Sequence, residues 1–276
     1  MAVRVPIRRQ PEQRSLASAA SVPARRTHPR RHACHITHSV ILYRGVTGAQ
    51  LREARTRAGW KQRRLASRLR VTQAFLSLVE SGKRRLSGRH AEQVVRLLRL
   101  SPTALPLDHT AEGRSRTDNE WVLSALARLG YPGYAYRKTR GRPVNPGEVL
   151  LRALALDGLD PRLVEALPWL LLRFEGYDLD RLVEAARLAN VQNRLGFVAA
   201  LARAVAGRSA VLSHRSGDLR ALEDAVEPYR LAREDGFWQE RISARMRAWV
   251  LANRSAAAEH WNVLTDLAPE HLTYAS

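Results

Sequence analysis

Residues 61–85, KQRRLASRLRVTQAFLSLVESGKRR, decide how the chain folds. Eight basic side chains and a single acid, Glu80, surround a segment with no charge at all, Val71 to Val79. Beneath the charge runs a helical rhythm. Leu65, Ala66 and Leu69 fall at spacings that put them on one face, and so do Leu76 and Val79. Arg70-Val71 makes a tight connection between them, and Thr72 offers a capping oxygen to the helix that follows. The spacing predicts two short helices, Gln62 to Leu69 and Gln73 to Glu80, joined by a turn.

Outward from this pair, Thr47-Gly48 opens an earlier helix with Leu51, Ala54 and Ala58 on its inner face, stopped by Gly59. After Gly82, Arg89 to Leu100 reads as a fourth helix with Val94, Leu97 and Leu98 inward. Short joints make these a compact bundle.

Charge separates this region from the rest. The formal net charge is +20. Residues 1–46 carry nine arginines and one acid, and residues 47–107 carry fourteen basic residues against three acids. Residues 108–276 hold twenty-three against twenty-two. A basic part joined to a neutral one points to a polyanion-binding module coupled to a second task. The polyanion is nucleic acid or an anionic membrane, and charge alone does not choose.

In order, the residues Leu51, Arg52, Arg55, Gly59, Gln62, Leu65-Ala66, Leu69, Val71-Thr72, Leu76-Ser77, Glu80, Gly82 and Lys83-Arg84-Arg85 carry a pattern. Residues 48–105 resemble a helix-turn-helix domain of the lambda-repressor/Cro (Xre) type. The resemblance implies a four- to five-helix bundle that binds double-stranded operator DNA. The second helix of the motif would lie in the major groove. Its outward residues would be Gln73, Ala74, Ser77 and Leu78, preceded by Thr72. Gln73 suits adenine N6/N7, while Ala74, Leu78 and the Thr72 methyl suit thymine methyl groups, and Ser77 suits either partner. Gln62, Arg63 and Arg64 on one flank, and Lys83, Arg84 and Arg85 on the other, would grip phosphate. The uncharged centre is then the base-reading face. The resemblance also pairs Arg55 with Glu80 as a structural ion pair, which takes the acid off the DNA face. Two positions depart from the family pattern. Arg70 stands where a glycine at positive φ is usual, at a cost on the order of 1 kcal/mol. Lys61 stands where Ser or Thr usually caps the second helix.

Residues 108–118 read as a polar linker, and residues 119–276 as an all-helical part that binds a partner or dimerises the chain. Asn145-Pro146-Gly147-Glu148 starts a helix with Val149, Leu150, Ala153 and Leu154 inward. Further helices are expected from Pro161 to Leu167, from Asp180 to Ala189, after Asn193, near Leu219–Arg233 with a bend at Pro228, and from Trp238 to Ala252. Within Arg140–Pro143, RGRP is similar to the core of an AT-hook, although a solvated loop before the Asn145 cap is the simpler reading. The segment from Leu163 to Ala204 loosely resembles the C-terminal half of bacterial helix-turn-helix proteins predicted to act as antitoxins. That resemblance implies a toxin protein as partner, with the basic part repressing a shared promoter.

Other expectations are negative. Cys34 is the single cysteine, so no disulfide framework exists and a reducing cytoplasm, at the nucleoid, is expected. No apolar run reaches the ~18 residues of a membrane span. Residues 1–44 read as a disordered Arg-rich arm. Their composition is similar to a transit peptide, but they lack the apolar core of a secretory signal. His28, His32, Cys34, His35 and His38 within it match no zinc-finger spacing, so no metal is expected. No catalytic motif joins the scattered His90, His214, His260 and His271, so no enzyme and no cofactor is expected. The reading is a DNA-binding repressor, sharpened to an autoregulating antitoxin. Its rival is an adaptor that binds nucleic acid without sequence preference or serves protein interaction.

Overall fold

Thr47 opens the first helix by a reciprocal cap. Its hydroxyl accepts from the Gln50 N–H at 3.2 Å, and its own N–H donates to the Gln50 side chain at 3.0 Å. The computed structural model, which describes residues 45–107, 117–137, 141–237 and 242–272, is all-α in architecture. The basic region forms α1 (Gly48–Arg57), α2 (Gln62–Leu69), α3 (Gln73–Glu80) and α4 (Gly88–Leu98), followed by a 3-10 turn at Pro102–Ala104.

Its core is small. Leu51, Leu65, Leu69, Leu76 and Val94 are almost wholly excluded from water, and each such side chain contributes roughly 1.5–3 kcal/mol of burial. Three expected inward positions differ. Ala58 is exposed, because it caps the end of α1 and Arg55 occupies the buried place one turn earlier. Leu97 and Leu98 are half-buried, and α4 buries Ala91, Val94 and Val95 instead.

The second core is larger. It gathers α5 (Thr117–Leu129), α6 (Pro146–Ala155), α7 (Pro161–Val164), α8 (Ala166–Arg173), α9 (Leu179–Leu188), α10 (Gln192–Arg208) and α11 (Ser216–Val226). Beyond them lie α12 (Ala244–Asn253) and α13 (Ala256–His260). Helix α10 is its axis and packs against α6, α8, α9, α11 and α13. Gly196 on α10 lets Trp261 lie flat against the helix: a Cβ there would sit 2.5 Å from three ring atoms of a side chain only 1 % exposed. Gly196→Ala should therefore lower stability by about 1–3 kcal/mol despite better helix propensity. Chemical denaturation followed by Trp fluorescence would check it.

Several elements depart from the sequence reading. Helix α5 starts at Thr117, inside the linker expected over 108–118, of which residues 108–116 lie outside the described residues. The helix expected from Pro161 to Leu167 is split in two: α7 ends at Val164, and α8 begins at Ala166 and runs on to Arg173. The helix expected to reach Arg233 ends at Val226, because Pro228 lacks the N–H to continue it and the chain turns 3-10 at Glu227–Tyr229. Of the helix expected from Trp238, residues 238–241 lie outside the described residues, and α12 begins at Ala244, capped by Ser243. A two-residue parallel pairing, Asp235–Gly236 with Val263–Leu264, breaks the all-helical expectation for residues 119–276. Buried Asn193 and half-buried Asn262 hold the backbone around it: both side-chain amides donate to the Leu231 carbonyl, each at 2.9 Å.

The two cores are bridged. Buried Asn145, the cap of α6, donates to the carbonyls of Thr103 and Leu105 at 3.2 and 2.6 Å while accepting from the Gly147 N–H at 2.8 Å. The Thr103 hydroxyl donates to the Glu175 carbonyl at 2.6 Å.

Candidate nucleic-acid interface

Helix α3 presents two faces of opposite character. Leu76 and Val79 point into the core, whereas Thr72, Gln73, Ala74, Ser77 and Leu78 are all exposed. Thr72 caps the helix by accepting from the Phe75 N–H at 3.1 Å, which leaves its methyl and its hydroxyl proton to a partner. Phe75 is half-buried against the core and fixes the roll of the helix. The outward face is uncharged: an amide, two hydroxyls and apolar groups in one stripe. That chemistry can hydrogen-bond base edges and press on thymine methyls.

The turn before α3 is strained in the expected place. Arg70 sits at φ 57° and ψ 41°, the left-handed region, and its backbone N–H reaches the carbonyls of Ala66 and Ser67. At the start of α2, Lys61 gives no side-chain cap. The Arg64 N–H bonds the Lys61 carbonyl at 3.0 Å, and the N–H groups of Gln62 and Arg63 are left to an anion, with the helix dipole favouring it.

Glu80 organises the region. Its carboxylate accepts from Arg55 Nε at 2.6 Å, from Arg55 Nη2 at 2.9 Å and from Gln62 Nε2 at 2.8 Å. Arg55 Nη1 also donates to the Trp60 carbonyl at 2.7 Å. The two charged side chains are 9 % and 4 % exposed, so α1, α2 and α3 meet in a buried ionic knot. Burial works against the Glu80 charge, but the hydrogen bonds from Arg55 and Gln62 outweigh it and hold its pKa below the ordinary carboxylate value. Gln62 was read from the sequence as a phosphate contact. Half-buried and spending an amide hydrogen on Glu80, it offers an anion its backbone N–H and its second amide hydrogen.

The basic flanks frame the stripe. Arg63 and Arg64 are exposed on α2, and the Arg64 guanidinium lies 4.6 Å from the Trp60 ring centroid, a cation–π contact not foreseen from the sequence. Lys83, Arg84 and Arg85 are exposed beyond α3. The N–H groups of Lys83 and Arg84 both bond the Leu78 carbonyl, at 2.9 and 3.0 Å, which curls the loop back on the helix end. Gly82 at φ 75° makes that curl. The histidine-rich stretch 28–38 and Arg140 of RGRP lie outside the described residues. No helix of the described residues is long and apolar enough to cross a membrane.

Residues 47–107 match the family model for a helix-turn-helix domain. No curated protein matches the chain, and no solved structure does. The match covers less than a quarter of the sequence, so it speaks for the basic region alone. That region is a helix-turn-helix domain, the module with which DNA-binding regulators hold DNA.

Proposed function

We propose that the chain is a sequence-specific transcriptional repressor, and more narrowly the autoregulating antitoxin of a toxin–antitoxin pair. The observation that carries the first step is the outward stripe of α3, uncharged from Thr72 to Leu78 and bordered by exposed Arg63, Arg64, Lys83, Arg84 and Arg85. Uncharged donors and methyl groups read bases, and cations outside them hold the backbone. A non-specific binder has no need of that division.

The narrower step is supported by charge and by α12. Residues 108–276 are nearly neutral, so they add little non-specific attraction to DNA. On α12, Met246 and Trp249 are 44 % and 50 % exposed while Val250 alone of that helix is buried. Exposed Met and Trp suit a protein partner. In this reading the toxin sits on the neutral part, the protein acts as a dimer on a two-fold operator, and it works in the cytoplasm.

The test is binding of the full chain to the DNA upstream of its own gene, against scrambled competitor, at about 0.15 M salt. Retention over random DNA by roughly 10³-fold or more is expected of an operator complex. Loss to any competitor would leave an adaptor that binds nucleic acid without preference. Gln73→Ala should erase about 1–3 kcal/mol of base discrimination, whereas Arg84→Ala should weaken operator and random DNA alike. Equal effects of both changes on both duplexes would remove α3 from the groove.

A further inference from the structure

The RGRP segment is not absorbed by the helix-turn-helix domain, yet the fold brings its described part beside that domain. Arg142, Pro143 and Arg128 line a cleft of about 770 Å³ whose opposite wall includes Arg84, Arg85 and Leu86. The turn is built, not loose. Gly141 has φ 149°, and a Cβ there would meet Arg128 Nη1 at 3.0 Å. Arg128 Nη1 donates to the Arg142 carbonyl at 3.1 Å, and buried Asn145 holds the chain three residues on. The backbone is thus fixed while the Arg142 side chain stays 79 % exposed. Among the described residues it faces Glu92 of α4, with Nε to Oε2 at 3.7 Å, beyond ordinary hydrogen-bond reach. Glu148, also on the cleft wall, is engaged by Arg152 at 2.8 Å.

We propose that Arg142 is a second backbone contact for the DNA held by the helix-turn-helix domain, taking a phosphate beyond the base pairs that α3 reads. The proposal rests on the DNA-binding reading above. A pre-set turn carrying a solvent-exposed guanidinium, across a cleft from the loop of Lys83, Arg84 and Arg85, extends one cationic rim from the basic part onto the neutral part. A polyanion of duplex length is the partner such a rim fits, because each phosphate it neutralises releases condensed counterion. A guanidinium also takes phosphate bidentately, which a single loose acid does not saturate.

The experiment uses the full chain and a duplex that it selects from a random-sequence pool, with affinity measured across a salt series. Arg142→Ala should weaken binding about three- to tenfold at about 0.15 M salt and reduce the salt slope by about one, whatever the flanking sequence. Glu92→Gln, which breaks the same ion pair but leaves the Arg142 charge, should bind as tightly as the parent chain or tighter. An unchanged slope in Arg142→Ala would overturn the proposal. So would an equal loss in Glu92→Gln, because the pair would then matter as a strut between the two parts. A loss confined to duplexes with A·T-rich flanks would also overturn it, placing Arg142 in the minor groove instead of on phosphate. If the parent chain selects no duplex, the DNA-binding reading itself falls, a result distinct from any of these.

Discussion

Glu80→Ala should destabilise the helix-turn-helix domain by about 3–5 kcal/mol, the usual cost of leaving one partner of a buried ion pair alone. Arg55 would keep its bond to the Trp60 carbonyl but lose both of its carboxylate bonds, and Gln62 would lose its acceptor. Since a small domain's whole stability is of the same order, the variant should be substantially unfolded at residues 48–98 while the larger core persists. Hydrogen exchange resolved by region would separate the two, and protection within about 1 kcal/mol of the parent chain throughout α1–α3 would contradict the account. A double change, Arg55→Met with Glu80→Leu, should recover much of the loss, because apolar groups of similar volume need no partner. The pH dependence has a definite sign. The Glu80 pKa is depressed in the folded chain, so its contribution is complete above the unfolded carboxylate range, about pH 4–5, and is lost as pH falls through the folded value.

Gly48→Ala should cost about 3 kcal/mol, at the upper end of overpacking effects, although alanine is the better helix former. The first turn of α1 lies against the end of α3, and a Cβ at position 48 would come closer than 3.0 Å to the carbonyl oxygens of Val79 and Glu80 and the carbonyl carbon of Glu80. These are backbone atoms at the C-terminal end of α3, so no side-chain rotation relieves the contact. The helices must part, and the ionic knot next to Glu80 must loosen with them. Thermal unfolding of the variant, together with its DNA affinity, would check this. A melting temperature equal to or above that of the parent chain would mean that the close approach carries no weight.

Where periodicity and caps act locally, the chain was legible. Lys61 to Arg85 fixes α2 and α3 to the residue, because Leu65, Leu69, Leu76 and Val79 leave one way to bury themselves and Thr72 and Gly82 mark the limits. The outward stripe followed by subtraction. What did not show was whatever depends on distant parts of the chain. Ala58 has the right spacing for the core and loses its place to Arg55, since the latter finds Glu80 twenty-five residues away. The 3.5 Å link from Ser101 to the Glu175 carbonyl, like those of Thr103 and Asn145, has no signature in either segment alone. Likewise the Asp235–Val263 pairing is too short to show alternation, and buried Asn193 is spent on the Leu231 backbone thirty-eight residues away, a partner visible only in three dimensions. The exposed arginine of RGRP was visible as a motif, but its neighbour Glu92, fifty residues earlier, was not.

The Asn145 amide, with the carbonyls of Thr103 and Leu105 both on its nitrogen, leaves the exit of the helix-turn-helix domain without a swivel. Two copies seated on a two-fold operator would carry their larger parts at a set angle to the DNA axis, like paired handles welded to their blades. The tolerated gap between half-sites is then written by the bulk of those handles and by how they abut, and not by the reach of a flexible tether. Inserting half a helical turn between half-sites should break cooperativity outright, where a tethered dimer would forgive it.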